Sequence, residues 1–401
     1  MIRKIDLIIV LFLILTFIGS FLYIADKNLF VDEEVHYLQI KRFMSGDRGV
    51  YDIITVIPGY HYFLSVIGKT FDFYSEGQIR LVNATIGFIS IFVFLLLTFK
   101  IEGKRGWRKG LEYAFFPILF PFFFLIYTDV LSLLLVMAMV YFTLIKRYSI
   151  AAIFGILSFF VRQNNVVWMG FALFLVYFQR NGMKIKFSGI GETIKNCWVF
   201  ILGLAISVLF FIYNGGFSAG DKAMHEGGIF LGNIFFFLFL FFFLFFFLNI
   251  SNIFRIKEFT RKNKWIWILL IGIFIIYMKF FVVDHPYNFL GKDYFLRNII
   301  LQEFISGIWI KACLFIPIAY SILSLCVIKL KKKEFYLIYL FSFISLLPMW
   351  LIEQRYYLIP FTLFILFKEE SKNWVERATI GIYFIASIVI FYLIGEVKFF
   401  L

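Results

Sequence analysis

Long apolar blocks alternate with short polar segments along almost the whole chain. Many blocks contain about 15 to 24 residues and consist almost entirely of Phe, Leu, Ile and Val, and about 20 helical residues cross a bilayer core. The pattern predicts transmembrane helices at 5–25, 80–99, 111–127, 129–145, 148–161, 164–178, 196–213, 229–250, 264–283, 305–328, 334–350, 355–367 and 377–394. Because two of these segments are short enough to be half-helices, we expect about 11 to 13 spans.

Composition supports an all-α polytopic membrane protein, with residues 1–401 forming a single integral membrane domain. Hydrophobic residues make up 62% of the chain, which includes 60 Phe, and charged residues only 16%, against about 25% charged in soluble domains. A soluble globular fold is thereby excluded. The net charge of +14 does not indicate nucleic acid, because the basic residues lie in short loops between apolar blocks, where they orient a protein in a membrane.

The distribution of Lys and Arg predicts a cytoplasmic amino terminus. Arg3 and Lys4 precede the apolar run Ile5–Ile24, which has no small-residue cleavage motif, so a retained signal anchor is expected. Alternating the spans places about 25 of the 39 Lys and Arg residues inside. The predicted cytoplasmic segments are Lys100–Lys109, Lys146–Arg147, Arg180–Lys195, Arg255–Lys264, Lys329–Lys333 and Lys368–Arg377.

The same alternation places the polar motifs on the opposite, external or lumenal face. The long first loop, residues 26–79, lies there, and so do all four histidines. The motifs on this face are DEEVH, TD, RQNN, GDKAMHE, DHPYNF and EQRYY. Their convergence predicts an active site at the external membrane surface.

Asp32, Glu33 and His36 of the DEEVH motif are the candidate catalytic residues. On a helix, Asp32 and His36 share one face, and Glu33 borders it. A carboxylate beside an imidazole near apolar surroundings can act as a general base. The alternative is a solvated acidic loop in which His36 is an ordinary interfacial residue. The spacing is not HExxH, so it gives zinc no particular support.

Other polar residues on this face are candidates for substrate binding. Arg162 offers a planar donor fork that suits phosphate, although RQNN could also be a simple short loop. Asp129 is costly at the membrane, but it would also suit a helix N-cap. The full set of predicted binding residues is Asp52, Asp129, Arg162, Gln163, Asp221, His225, Glu226, His285, Arg297 and Arg355.

Seven stretches, in order, resemble the dolichyl-phosphate-glucose-dependent alpha-1,2-glucosyltransferases, which add the terminal glucose to the lipid-linked oligosaccharide for N-glycosylation. They are VDEEVHYLQIKRF, YDIITVIPGYHYF, FFFLIYTDVLS, SFFVRQNNVVW, YNGGFSAGDKAMHE, DHPYNFLGKDYF and EQRYYLIPF. The resemblance covers nearly the whole chain. This chain departs from the family in its short cytoplasmic loops and in Tyr51-Asp52-Ile53, where the family usually has a Trp-Asp-Pro-like run.

The resemblance implies a GT-C glycosyltransferase fold and an inverting transfer of sugar from a polyprenyl-phosphate donor to a lipid-linked oligosaccharide. Asp32 is the expected base, with Glu33 and His36 as alternatives, and the leaving phosphate needs cationic donors. No cofactor is required, and a divalent metal near Asp32 and Glu33 is compatible with the sequence. The expected partners are these two substrates and membrane lipid, without nucleic acid.

The expected location is the endoplasmic reticulum membrane for a eukaryotic source and the plasma membrane for a prokaryotic one. Two other functions remain open from the sequence. One is a transporter or flippase of a lipid-linked sugar, which would also have many spans and broken helices. The other is a GT-C enzyme that uses a different sugar donor.

Overall fold

The apolar blocks form helices, which satisfy their own backbone hydrogen bonds as a bilayer requires. The computed structural model describes residues 4–103 and 106–401. Within these residues the regular structure is helical, without β-strands. The helices are α1 Lys4–Ile24, α2 Asp32–Met44, α3 Gly59–Phe71, α4 Glu76–Glu102, α5 Trp107–Ala114, α6 Thr128–Leu144, α7 Tyr148–Val161, α8 Val166–Asn181, α9 Phe187–Asn196, α10 Trp198–Asn214, α11 Gly232–Leu244, α12 Phe246–Ser251, α13 Ile253–Lys262, α14 Trp265–Phe280, α15 Leu296–Ile305, α16 Ile308–Val327, α17 Leu337–Leu346, α18 Leu358–Phe367 and α19 Asn373–Gly395.

The protein is an all-α polytopic membrane protein. By length and composition, four helices in the described ranges could each cross a membrane: Asp6–Ile24 of α1, α4, α16 and α19. The number rises to six if each of two bent pairs counts as one span, α9 with α10 at 84° and α13 with α14 at 104°. This number is lower than the expected 11 to 13 spans. Several of the other predicted spans, such as those at α6, α7 and α11, form apolar helices that are shorter than a full crossing.

The segment predicted as one helix at 111–127 is broken, and this prediction was wrong. Helix α5 ends at Ala114, and Pro117 and Pro121 follow, which cannot donate the backbone hydrogen bonds that a helix interior needs. The irregular chain is completely buried, and the side-chain amide of Asn83 donates to the carbonyls of Phe122 at 2.9 Å and Leu125 at 2.6 Å. Irregular backbone is tolerated at this depth because protein surrounds it.

Basic residues of the predicted cytoplasmic segments meet acidic ones at one end of the molecule. Lys109 lies 2.8 Å from Glu102, and Lys368 lies 3.0 Å from Glu112. Lys331 also approaches Glu102, at 3.5 Å. Arg3, Lys104 and Arg105, which belong to the predicted basic segments, lie outside the described residues. Helix α4 carries Glu102 at this end, and its other end reaches the loop of residues 26–79.

The loop of residues 26–79 is largely helical and packs as a pair, α2 against α3. Both helices are tied to α4 or to the residues just before it. The Tyr37 hydroxyl of α2 donates to the Tyr74 carbonyl at 2.7 Å, and the Tyr60 hydroxyl of α3 donates to the Asn83 side chain of α4 at 3.1 Å. A capping box at Ser75 and Gln78 begins α4. This arrangement fixes the amino-terminal end of α2 over the ends of the longer helices.

Candidate active site

A cavity of about 290 Å³ opens where the ends of α2, α6, α7 and α15 meet four loops, which contain residues 53–56, 221–225, 287–295 and 351–356. Each of the six motifs predicted to be external contributes to its wall. The polar residues that line it are Asp32, His36, Thr55, Thr128, Arg162, Asp221, His225, Tyr287, Arg297, Glu353, Arg355 and Tyr356. The structure therefore brings together residues that are more than 300 positions apart in the sequence.

Four charged side chains of the cavity form a continuous chain of ion pairs, which we call the cavity network. Arg355 donates to Asp32 at 3.0 Å and to Glu353 at 2.8 Å. Arg297 lies 3.3 Å from the same oxygen of Glu353. Burial raises the pKa of Glu353, but Arg355 and Arg297 outweigh that effect and lower the pKa to about 2. Glu353 is therefore charged at neutral pH and bridges the two arginines.

Hydrogen bonds to the Tyr127 hydroxyl hold the backbone at the start of α2, where Asp32 lies. Its N–H donates to the Tyr127 hydroxyl at 3.1 Å, and that hydroxyl donates to the Phe30 carbonyl at 3.2 Å. Val31 between them has φ of 51°, an outlier for a β-branched residue. Such strain persists where surrounding contacts over-determine it, often at functional sites. The side chain of Asp32 is 45% exposed.

Glu33 points away from the cavity into a fully buried site. Its carboxylate accepts hydrogen bonds from Arg80 at 2.6 and 3.1 Å. It also accepts from the backbone N–H groups of Phe30 at 3.0 Å and Ile126 at 2.7 Å. Glu33 thus holds together the loop before α2, the start of α4 and the buried segment before α6, and it does not line the cavity.

His36 lines the cavity one helical turn after Asp32. Its Nδ1 lies 2.9 Å from Nε2 of His61, which is completely buried on α3. Burial, together with the charges of Arg355 and Arg162, lowers the pKa of His36 to about 3. His36 is therefore neutral at physiological pH.

Arg162 directly follows α7 and reaches the cavity, and its guanidinium pairs with the buried carboxylate of Asp129. Asp129 therefore lies behind Arg162, outside the main cavity lining. Gln163 turns away and holds residues 55–57, since it donates to the Thr55 carbonyl at 2.8 Å and accepts from the Ile57 N–H at 3.3 Å.

The loop around Asp221 closes another side of the cavity. The Tyr287 hydroxyl donates to Asp221 at 2.9 Å, and burial lowers the pKa of the neighbouring His225. His285 lies behind this loop: its Nε2 is 2.8 Å from the Met224 carbonyl, and its Nδ1 accepts from the Tyr287 N–H at 3.1 Å. Both nitrogens of His285 are thus occupied by the protein.

Asp52 and Glu226 are exposed and lie outside the main cavity lining. Glu226 borders a smaller adjoining space of about 60 Å³. The carbonyl of Asp52 lies against Gly220, where a Cβ would collide with it. The backbone of Asp52, rather than its carboxylate, therefore positions the loop that carries Asp221.

Sequence reasoning missed several residues of the cavity. Glu353 is absent from the predicted binding residues, although its position in EQRYY next to Arg355 was a usable signal. Tyr287 lies inside a motif that was singled out for its histidine. Phe400 lines the cavity and stacks on Tyr127 with ring centres 6.0 Å apart; no local pattern marks it.

The residues near Asp32 do not assemble a metal-ligand set. In the described ranges, no group of three or more His, Cys, Asp and Glu side chains comes together in a way that could hold a metal ion. Asp32 and Glu33 point to different arginines. The cavity instead offers a solvent-accessible carboxylate beside three guanidinium groups, which suits proton abstraction next to an anionic group.

The family of the chain follows from comparison with known protein families. A model described as the DIE2/ALG10 family matches residues 26–186 and 174–366. The chain belongs to the DIE2/ALG10 family. The matched residues include all of the cavity lining except Phe400, and no solved structure matches the chain.

Several curated relatives of this DIE2/ALG10 member carry the name Dol-P-Glc:Glc(2)Man(9)GlcNAc(2)-PP-Dol alpha-1,2-glucosyltransferase. One from Candida albicans is 26% identical over 333 residues, with 76% of this chain and 72% of the relative covered. One from Arabidopsis thaliana is 24% identical, with 89% of each covered. One from Drosophila melanogaster is 23% identical, with 92% of this chain and 90% of the relative covered.

Proposed function

We propose that this DIE2/ALG10 member is an inverting glucosyltransferase. It moves glucose from a polyprenyl (dolichyl) phosphate donor to a lipid-linked oligosaccharide and forms an alpha-1,2 linkage. Family membership over residues 26–366 and the names of the relatives support this reaction. The observation that carries it is the accessible carboxylate of Asp32, held 3.0 Å from Arg355 in a cavity that also contains Arg162 and Arg297.

Asp32 is the residue best placed to act as the base. Glu353 is a weak base because its two arginines lower its pKa to about 2, and His36 is weak because its pKa is about 3. Asp221, the remaining carboxylate of the lining, accepts a hydrogen bond from Tyr287, and its side chain is 23% exposed, against 45% for Asp32. Glu33 is buried against Arg80. Asp32 combines access to the cavity with a fixed orientation.

Inversion then proceeds in one displacement. The acceptor hydroxyl loses its proton to the Asp32 carboxylate while its oxygen bonds to the anomeric carbon of glucose. The bond from that carbon to the phosphate oxygen breaks, and the phosphate leaves with the electron pair. No covalent enzyme intermediate is needed.

The arginines of the cavity stabilise the leaving phosphate. The Nε of Arg355 donates to Glu353 and its Nη2 donates to Asp32, whereas its Nη1 has no acceptor among the described residues. The Nε of Arg297 is likewise buried without a partner there. Guanidinium groups suit phosphate oxygens because their donors lie in a planar fork. Fixed carboxylate partners hold these donors ready, so little reorganisation is required during the reaction.

The spans and the family place the chain in a membrane. The relatives come from fungi, a plant and animals, which supports the endoplasmic reticulum membrane over a prokaryotic plasma membrane. The cavity then faces the lumen, since it lies on the side opposite the basic segments.

Transfer by the purified full-length protein in lipid nanodiscs tests the reaction. The protein is given dolichyl phosphate glucose, dolichyl phosphate mannose or no donor, with a lipid-linked oligosaccharide that ends in glucose. We expect one added hexose with glucose donor only, in a linkage that an alpha-1,2-specific glucosidase removes. Transfer from the mannose donor alone would assign another sugar. Lipid movement across vesicles without any transfer would assign a flippase.

A further inference from the structure

The pair formed by His36 and His61 joins the cavity to the interior of the loop of residues 26–79. The two rings have centres 5.0 Å apart, with Nδ1 of His36 2.9 Å from Nε2 of His61. Tyr60 and Tyr127 pack edge-on against the ring of His36. The ring of His36 therefore directs Nδ1 to His61 and leaves Nε2 on the other side, where His36 lines the cavity.

The hydrogen bond between the two rings contains one proton, and the surroundings of His61 decide which ring supplies it. Nδ1 of His61 is buried and has no hydrogen-bond partner among the described residues. If His36 were the donor, a neutral His61 would carry its hydrogen on that Nδ1, as a buried N–H without an acceptor. Such N–H groups are rarer and costlier than unfilled acceptor positions. His61 is therefore the donor through Nε2, and Nδ1 of His36 accepts.

Both rings are neutral in this arrangement. Burial lowers the pKa of His36, as do Arg355 and Arg162 across the cavity, and burial also lowers that of His61. The carboxylate one turn earlier on the same helix, that of Asp32, is already paired with Arg355. A neutral His36 that accepts at Nδ1 must carry its hydrogen on Nε2.

We propose that His61 is a positioning residue that fixes His36 in the Nε2–H form, so that His36 donates a neutral hydrogen bond to an oxygen atom of the sugar-phosphate donor. This assignment rests on the proposed transferase function. Nε2 of His36 makes no hydrogen bond to the described residues and is open to the cavity. In this arrangement Asp32 accepts the proton of the acceptor hydroxyl. His36 donates a hydrogen bond to an oxygen of the sugar-phosphate donor and does not take up that proton.

The tautomers can be measured without any activity. The chain has only four histidines, so ¹⁵N-histidine labelling of the full-length protein in nanodiscs gives a readable spectrum, and His36→Gln and His61→Gln assign the two signals. We expect both rings to be neutral and protonated at Nε2 at pH 7. A His36 ring that is protonated at Nδ1, or on both nitrogens, would overturn the proposal whatever the reaction catalysed.

Transfer kinetics supply the second readout. His61→Phe keeps the ring volume and removes the donor, and we expect it to lower kcat/KM about tenfold, mainly through KM for the donor. His61→Gln returns an N–H donor and is expected to restore most of the loss. In a His36→Phe background, His61→Phe should have no further effect, because the two residues act as one unit.

Ser65→Ala on the same buried face of α3 is the matched control and should change neither value. Additive losses from His36→Phe and His61→Phe, or equal losses from His61→Phe and His61→Gln, would show that His61 only supports packing and would refute the proposal. If the wild-type protein transferred no glucose, the transferase function would fail, while the spectrum would still decide the tautomers.

Discussion

Asp32 and Glu33 are neighbours in the chain, and each pairs with an arginine in entirely different surroundings. Asp32 belongs to the cavity network, and its side chain is 45% exposed. Glu33 and Arg80, which we call the closed pair, are both 0% exposed. Glu33 accepts two N–H groups of Arg80 and two backbone N–H groups. In the closed pair, hydrogen-bond donors occupy both carboxylate oxygens of Glu33. Asp32 accepts a hydrogen bond from Arg355, and its carboxylate remains accessible from the cavity.

The difference shows how the same chemical groups serve structure or reaction. A saturated buried pair cannot take a proton or a ligand without breaking the contacts that offset its desolvation. A buried charge at the opposite end of the molecule is paired in a similar way, since the Lys109 ammonium donates to the carbonyls of Leu366 at 2.9 Å and Lys368 at 2.6 Å. The cavity network instead keeps unpaired guanidinium donors and an accessible carboxylate, which is the condition for binding and chemistry.

The largest expected effect comes from breaking the closed pair. Arg80→Met removes a charge that also binds the carbonyls of Ile24, Lys27 and Asn28, and it leaves Glu33 buried and unpaired. We expect a loss of roughly 3–5 kcal/mol in the free energy of unfolding, measured as a lower melting temperature in detergent.

Arg42→Met is the matched control for Arg80→Met. It breaks an ion pair of similar length, 2.7 Å to Asp47, whose two side chains are 29% and 51% exposed. An exposed pair of this kind contributes little to stability, because solvent screens the two charges. Equal changes in melting temperature for the two variants would contradict the distinction between closed and open sites.

Asp32→Asn should act on the reaction instead. The amide keeps the size of the side chain but cannot take the proton, so glucose transfer should fall on the order of 10³-fold, with the melting temperature changed little. Initial rates at saturating donor and acceptor measure this. Glu34→Gln, at the exposed next-but-one position, serves as the control and should transfer at the wild-type rate. Full activity of Asp32→Asn would remove Asp32 as the base.

Arg355→Lys probes the centre of the cavity network. Lysine keeps the positive charge but loses the planar fork that joins Asp32 to Glu353. We expect transfer to fall on the order of 10–100-fold, with weaker donor binding. Arg48→Lys, an exposed change in the loop of residues 26–79, should have no effect. An unchanged KM and kcat in Arg355→Lys would show that only charge matters at this position.

Much of the fold followed from the sequence because apolar length and basic clusters are local signals. The spans predicted at 5–25, 80–99 and 377–394 correspond to α1, α4 and α19 within a few residues. The break between α5 and α6 did not follow, although Pro117 and Pro121 lie in it. Hydropathy cannot distinguish a buried irregular segment from a helix, because both are equally apolar.

The site was predictable at the level of motifs but not of atoms. The motifs line one cavity because they lie at helix ends and in loops on the same face of the protein. Which of two adjacent side chains enters it depends on the phase of the helix and on contacts from distant segments. Glu33 pairs with Arg80 in the protein interior, whereas Asp32 pairs with Arg355 at the cavity. Similarly, Arg162 faces the cavity while Gln163 faces the backbone of residues 55–57.

The smallest expected effect concerns Glu353, the member of the cavity network that most resembles the closed pair, since it is 1% exposed. Its pKa is lowered from 4.5 to about 2 in the folded protein. A depressed carboxyl pKa stabilises the fold above the unfolded value, and this contribution is lost as the pH falls from about 4.5 towards 2. Glu353→Gln lacks the contribution at every pH.

The difference in melting temperature between wild type and Glu353→Gln should therefore be constant from pH 7 to about pH 5 and should narrow below about pH 4.5. Melting in detergent between pH 7 and pH 3.5 measures it. A difference that stays constant down to pH 3.5 would mean that Glu353 is not held by Arg297 and Arg355 as a charged bridge, and the cavity network would then lose its central link.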